Sequence, residues 1–172
     1  MLSSILEKNL IKCFSHLKGE LIPNAPLAPF TWFKVGGPAE LLFIPKDKND
    51  LIQFVKNCPS NIPITIVGAG SNILIREGGI PGIVVSTKNL NQINNDNGVI
   101  YAECGALDMA VSREASKLGI TGLEFLIGIP GSIGGALKMN AGSYGHEIKD
   151  ILLEVEGVDR DCLLYTSDAA DE

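Results

Sequence analysis

Two glycine-rich runs carry the residue types that could do chemistry. In Val67-Gly68-Ala69-Gly70-Ser71-Asn72 an apolar stretch breaks into small residues. Glycine has no Cβ, so such a loop can turn successive main-chain N–H groups outward and let an anion come close to them. Ser71 adds a hydroxyl and Asn72 an amide, and both can bond phosphate oxygens. A tight turn without a ligand would use the same residue types, so both readings stand at this level. The run is not a Rossmann fingerprint, because Ile73 stands where the third glycine belongs, and it lacks the Gly-Lys-Ser/Thr of a P-loop.

The other run is Gly128-Ile129-Pro130-Gly131-Ser132-Ile133-Gly134-Gly135-Ala136, followed by Asn140-Ala141-Gly142-Ser143-Tyr144-Gly145. Five glycines fall within residues 128–142, and each weakens a plain helix by up to about 1 kcal/mol. Such a cost is offset where backbone must lie against something flat or charged. Ser132 could cap a helix whose amino end points at that group. Tight helix-on-sheet packing through glycine is the competing reading. A shorter run, Val35-Gly36-Gly37-Pro38-Ala39, reads alone as a turn.

Other chemistries fit poorly. Neither Gly131-Ser132-Ile133-Gly134 nor Gly142-Ser143-Tyr144-Gly145 is a Gly-x-Ser-x-Gly nucleophile elbow, and the only nearby base is His146. Glu124 and Glu147 flank the run at 128–145, where solvated or capping carboxylates are the plainer reading. Cys13, Cys58, Cys104 and Cys162 make no Cys-x-x-Cys pair, and His16 and His146 are far apart, so neither a metal site nor a disulfide framework is expected. With 14 Lys and Arg against 20 Asp and Glu, net charge −6, the chain lacks the basic stripe of a nucleic-acid binder. Main-chain amides can still hold an anion. Glu7 and Lys8 interrupt the amino-terminal apolar stretch, and no run approaches the roughly 18 apolar residues of a membrane span. The expectation is a reduced, soluble, cytoplasmic protein with no membrane partner.

The elements that must position these runs follow from periodicity. Residues 2–18 place Leu6, Leu10, Cys13, Phe14 and Leu17 at helical spacing behind a Ser4-x-x-Glu7 capping box. Pro23, Pro26 and Pro29 predict an extended, turn-rich passage. Residues 40–44 read as a strand, 48–57 as a helix and 62–67 as a buried parallel strand: a βαβ unit closed by the first glycine loop. Residues 73–75, 83–86 and 99–103 read as further strands, with turn signals at 78–79 and 95–98. Helices are expected at 107–118 and 132–139, and a last strand at 151–158. The class is α+β with mixed sheets, in two small lobes with a crevice between them.

Taken in order, Thr31-Trp32-Phe33-Lys34-Val35-Gly36-Gly37-Pro38-Ala39, Gly68-Ala69-Gly70-Ser71-Asn72-Ile73-Leu74-Ile75, Gly122-Leu123-Glu124-Phe125-Leu126 and the stretch 128–145 resemble the UDP-N-acetylenolpyruvoylglucosamine reductase family. Trp32 stands where that family usually has threonine. The resemblance implies a two-lobed FAD-binding domain of the PCMH, or vanillyl-alcohol-oxidase, type. Val67, Gly68, Ala69, Gly70, Ser71 and Asn72 would cradle the pyrophosphate. Gly128, Ile129, Pro130, Gly131, Ser132, Gly134, Gly135, Asn140, Ala141 and Gly142 would run along the flavin and its phosphates. It further implies NADPH as reductant, UDP-N-acetylglucosamine enolpyruvate as substrate, a role in peptidoglycan precursor synthesis, and a monomer. A flavin module of another PCMH-type oxidoreductase and an inactive fragment are the alternatives.

The family's catalytic arginine lies in a Tyr-Arg-x-Ser motif, and its proton-donating serine and its glutamate lie further on. Arg160 is in no such motif, so no catalytic residue is assigned. The expected organisation is an amino-terminal helix at 1–20 and an FAD-binding domain at 21–161. Residues 162–172 match nothing in the family and read as one translated frame of a transposase sequencing adapter. They are expected to be a non-native tail, with the substrate domain absent and no turnover by this chain alone.

Overall fold

The computed structural model describes residues 10–160 and the backbone of 164–168. Its main sheet contains β1 (Glu20–Pro26), β2 (Pro38–Ile44), β3 (Ile64–Val67) and β4 (Ile80–Ser86), in the order β1-β2-β4-β3. β1 is antiparallel to β2, and the other pairs are parallel. Successive strand residues point to opposite faces, and β2 is buried on both. Leu41 and Phe43 pack with Leu10, Phe14 and Phe54, while Leu42 and Ile44 pack with Ala25, Leu27, Val67 and Ile75. The Phe43 ring stacks on Phe54 at 4.7 Å, and the Phe14 ring meets it tilted at 5.1 Å.

The βαβ unit forms as the sequence predicts, except that its second strand, expected to be buried, is the edge of the sheet and leaves Ile66 58% exposed. α1 (Lys48–Asn57) crosses from β2 to β3, capped by the Asp47 side chain, which accepts from the Asp50 amide at 2.9 Å. The Asp50 carboxylate accepts from the Lys18 and Lys46 amides at 2.8 and 3.0 Å, fastening the amino-terminal segment to the start of the helix. Residues 10–13 are helical, with Leu10 and Phe14 buried as expected. Cys13 is exposed and so leaves the apolar face assigned to it, and Leu6 lies outside the described residues.

Several expectations are corrected. The proline-rich passage is strand β1: Pro23 faces Leu41 and Pro26 faces Pro38 on an edge whose outer side needs no donor. Residues 73–75 form no strand. Ile75 plugs the core beneath Gly36, Leu74 is 73% exposed, and the segment is held by contacts with the loop at 31–37. The strand expected from residue 62 starts at Ile64, because the Ile62 amide turns back to the Pro59 carbonyl and Pro63 has no donor. The turn at 95–98 narrows to Asn97-Gly98, both at positive φ (48° and 87°), which frees β5 (Ile93–Asp96) to pair with β6 (Val99–Ala102).

The second lobe is built from α2 (Asp108–Leu118), a 3-10 turn (Glu124–Gly128), α3 (Ile133–Met139), the small hairpin of β7 (Gly142–Ser143) and β8 (His146–Glu147), and β9 (Glu154–Val158). Its core gathers Ala106, Val111, Phe125, Leu126, Ala136 and Ile148. α2 stops at Gly119 in the left-handed conformation (φ 71°). β9 starts three residues later than expected, because the amides of Ile151 and Leu152 still donate to the Ile148 carbonyl. β10 (Leu164–Asp168) pairs antiparallel with β9, Leu164 opposite Val158. Such pairing uses main chain alone and is indifferent to the origin of the tail. The guanidinium of Arg160 joins the lobes by donating to the carbonyls of Pro59, Ser60 and Ile62 at 3.1, 2.7 and 2.6 Å.

Candidate functional site

The carboxyl ends of β3 and β4 lie side by side, Val67 opposite Ser86, and ligands of parallel sheets bind beyond such ends. Val67 itself is core. Beyond it, none of the amides of residues 68–72 donates to a backbone carbonyl among the described residues. The loop therefore offers a run of free N–H groups. Gly70 has φ 68°, and a Cβ there would overlap the Phe30 carbonyl; its own carbonyl accepts from Trp32 at 3.0 Å. Gly70 is thus required by packing on residues 30–32, which in turn fixes the loop that carries the amides. Ser71 is half-buried and Asn72 exposed, so both polar side chains border solvent.

The glycine run at 128–142 reaches the same place. A Cβ on Gly68 would overlap the Ser132 hydroxyl. Residues 104–108 hold the run from behind: Asp108 N–H donates to Gly131 O (3.2 Å), Ile133 N–H to Ala106 O (2.9 Å) and Gly134 N–H to Cys104 O (2.8 Å). Those bonds consume the first amides of α3, and Ser132 makes no side-chain cap. The expected anion-facing, serine-capped helix end is therefore not formed. Glycine at 134 and 131 answers to packing, since a Cβ would lie 2.8 Å from Cys104 Cβ and 2.6 Å from Asp108 Oδ2 respectively. Gly128 likewise faces Ser143 Oγ at 2.8 Å. Gly135 differs: its nearest neighbour would be Ser132 Oγ at 3.7 Å, and the residue is exposed.

Residues 140–142 are otherwise engaged. Asn140 ends α3 in the left-handed region (φ 43°), donates from Nδ2 to Glu147 Oε2 at 3.0 Å and accepts the Lys149 amide at 3.1 Å. Ala141 N–H donates to Ala136 O, and Gly142 pairs with Glu147 in the hairpin. Ile129 packs on the second-lobe core, while Pro130 is exposed.

Sequence reasoning missed three further residues. Ser86 Oγ, Thr87 Oγ1, Ser132 Oγ and both carboxylate oxygens of Asp108 are buried without a hydrogen-bond partner, each costing about 1–3 kcal/mol. Ser132 and Thr87 border Gly68, where the two glycine runs meet, and Asp108 lies against Gly131; Ser86 stands opposite Val67 at the end of β4. Asp108 is 0% exposed, and burial pushes its carboxyl up to about 6. In sequence it looks like an ordinary first-turn acid, favourable at a helix start, and nothing in its neighbours signals burial. Burial, then the nearby Glu103, pushes the Cys104 thiol up, against the opposing pull of the Cys104 and Gly105 main chain. An apolar cleft of about 670 Å³ opens between α1, at Leu51 and Ile52, and the second lobe, and reaches Gly134 of the second glycine run. It is lined by Leu90, Ile100, Val111, Leu126 and Leu137 and touches none of residues 68–72. Among the described residues no group of His, Cys, Asp and Glu could hold a metal ion, and no helix is long and apolar enough to cross a membrane.

The sequence model of a family described as FAD binding domain matches residues 39–166. The chain belongs to that family. FAD is its cofactor, and the α+β, PCMH-type fold expected from the sequence is borne out. The chain is similar to the UDP-N-acetylenolpyruvoylglucosamine reductase of Parvibaculum lavamentivorans, 51% identical over 152 residues, which are 88% of this chain and 49% of that protein. It is 50% identical over 146 residues to the one from Phenylobacterium zucineum, covering 84% and 49%. The crystal structure of UDP-N-acetylenolpyruvylglucosamine reductase from Thermus caldophilus superposes with a TM-score of 0.71 at 29% identity, over 90% of this chain and 54% of that one. Cholesterol oxidase from B. sterolicum, at 19% identity, TM-score 0.64, and 87% and 33% coverage, shares the fold. The chain spans about half the length of the curated relatives it matches. The residues present suit the family's cofactor: the free amides of 68–72 and the hydroxyl of Ser71 are donors matched to the acceptor oxygens of a diphosphate.

Proposed function

We propose that this chain is the FAD-binding portion of a UDP-N-acetylenolpyruvoylglucosamine reductase, a cytoplasmic enzyme that reduces UDP-N-acetylglucosamine enolpyruvate to UDP-N-acetylmuramate with NADPH for peptidoglycan synthesis. The observation that carries the reading is the free amide row at 68–72, set beyond the carboxyl ends of two parallel strands. The identity to reductases over most of the chain favours this substrate over those of the distant oxidases, which share only the fold.

In this reading Gly68, Ala69, Gly70, Ser71 and Asn72 bind the diphosphate through main-chain N–H groups, with Ser71 and Asn72 adding side-chain donors. Gly128, Ile129, Pro130, Gly131, Ser132, Gly134 and Gly135 form the second wall, and Gly135 presents open backbone to the ring system. Asn140, Ala141 and Gly142 act indirectly, by fixing the end of α3 and its hairpin. Bound FAD supplies a hydride relay between nicotinamide and the enolpyruvyl double bond. The group that protonates the neighbouring carbon and the surface that positions the UDP-sugar belong to the other half of such an enzyme.

A chimera tests this. Residues 1–160 are joined to the remaining half of the Parvibaculum protein, and NADPH oxidation dependent on the enolpyruvyl substrate is followed. The expected result is a yellow protein with substrate-dependent turnover. A folded, FAD-loaded chimera that ignores the enolpyruvyl substrate would overturn the proposal.

A further inference from the structure

Asp108 opens α2 fully buried, with no partner for either carboxyl oxygen. It is tied to the turn that forms the second wall of the site. Its amide donates to Gly131 O at 3.2 Å, and Leu107 bridges to Ser132. Its Oδ2 lies against the same turn, on the side of Gly131 where a Cβ would fall 2.6 Å away. Ser132, the next residue, abuts Gly68 at the head of the amide row. Carboxyl, turn and amide row therefore form one contiguous stack. A carboxylate at its back would place an uncompensated negative charge in a low-dielectric position behind a site built for a diphosphate; the neutral acid would not.

We propose that Asp108 is a positioning residue for the cofactor: as the neutral acid it lets the Gly131-Ser132 turn close on Gly68, and its ionisation loosens the grip of that turn and of the 68–72 amides on the diphosphate. The inference rests on the proposed FAD site. Binding above the carboxyl's own titration range then takes up one proton from solvent, which stays on Asp108. Glu103 and Cys104 ahead of the helix, Arg113, Glu114 and Lys117 along it, Glu124 in the 3-10 turn and Lys138 in α3 are the titratable groups on the elements around it. None of them moves this carboxyl, which burial alone raises. His146, its ring 6.0 Å from that of Phe125, is the imidazole of the same lobe and serves as a control.

The test is the dissociation constant of FAD for the 172-residue chain, from quenching of flavin fluorescence between about pH 5.5 and about pH 8, with circular dichroism at each pH to establish the fold. The wild type is expected to weaken with rising pH, by up to about tenfold per pH unit where one proton is taken up. D108N is expected to vary less than about threefold over that range, and H146Q to follow the wild type. Wild-type affinity independent of pH, or a D108N profile as steep as the wild type's, would overturn the role of Asp108 while leaving the FAD site standing. A folded chain that takes up no FAD at any pH would overturn the site and this inference together.

Discussion

Asp50 and Asp108 both lie in the first turn of a helix and both are buried, yet their surroundings oppose one another. Asp50 accepts two main-chain amides, so its burial is compensated and it fastens the amino-terminal segment to α1. Asp108 accepts nothing, and burial lifts its carboxyl from 3.8 to about 6. The folded chain therefore holds that proton more tightly than the unfolded chain does. The stability it confers is present below about pH 4 and lost as pH rises to about 6, a difference of about 3 kcal/mol. D108N removes the titration. Urea unfolding should show the stability of D108N relative to wild type growing by up to that amount between about pH 4 and about pH 7. An equal difference at both pH values would contradict the account. The glycines separate as cleanly. Gly70→Ala meets a carbonyl at positive φ and should cost more than about 1 kcal/mol. Gly135→Ala, in an open helical position, should raise stability by up to about 1 kcal/mol; if thermal melts rank the two the other way, the packing assigned to them is wrong. Valine at Gly70 or Gly134 would damage the fold, so Gly135→Leu is the variant that separates cofactor contact from packing.

At the scale of elements, the sequence is most legible where one signal acts alone. α1 has its Asp47 cap and an apolar period, and its ends are those expected. The buried strands β2 and β4 read as apolar runs because both faces of their sheet are covered, whereas β3, equally apolar, is an edge with Ile66 exposed. Legibility fails where local chemistry and tertiary role diverge. Prolines argue against a strand, but β1 is an edge and tolerates them. β5 is too polar to look like a strand and is defined by its Asn-Gly turn and its partner. Residues 73–75 are apolar as a strand would be, yet serve as a plug beneath Gly36. Of the site, the glycine loops are legible because backbone freedom is written in composition. Ser86, Thr87 and Asp108 are not, because burial without a partner is a property of three dimensions. The lobes are joined by Arg160, whose guanidinium serves three carbonyls, and by the exposed Lys48–Glu156 ion pair at 2.6 Å. Arg160→Ala should cost about 2 kcal/mol, while Lys48→Ala should cost less than about 0.5 kcal/mol. Equal losses on denaturant unfolding would refute this ranking.

The molecule as a whole is acidic, with net charge −6, yet it belongs to a family that binds a dinucleotide. These facts are compatible only if the ligand's charge is met by oriented main-chain dipoles instead of a basic surface. The loop at 68–72 contains no lysine or arginine, and its grip is local and geometric. The most direct measurement is a titration of the 15N-labelled chain with FAD, followed through amide 1H–15N correlation spectra. The amides of Gly68, Ala69, Gly70, Ser71 and Asn72 should shift as hydrogen bonds form, saturating together with flavin fluorescence. Riboflavin, which has no diphosphate, should leave them near their starting positions. FAD binding that leaves those five resonances unmoved, with the shifts gathered instead at the α1 side of the apolar cleft, around Leu51 and Ile52, would contradict the account at its centre.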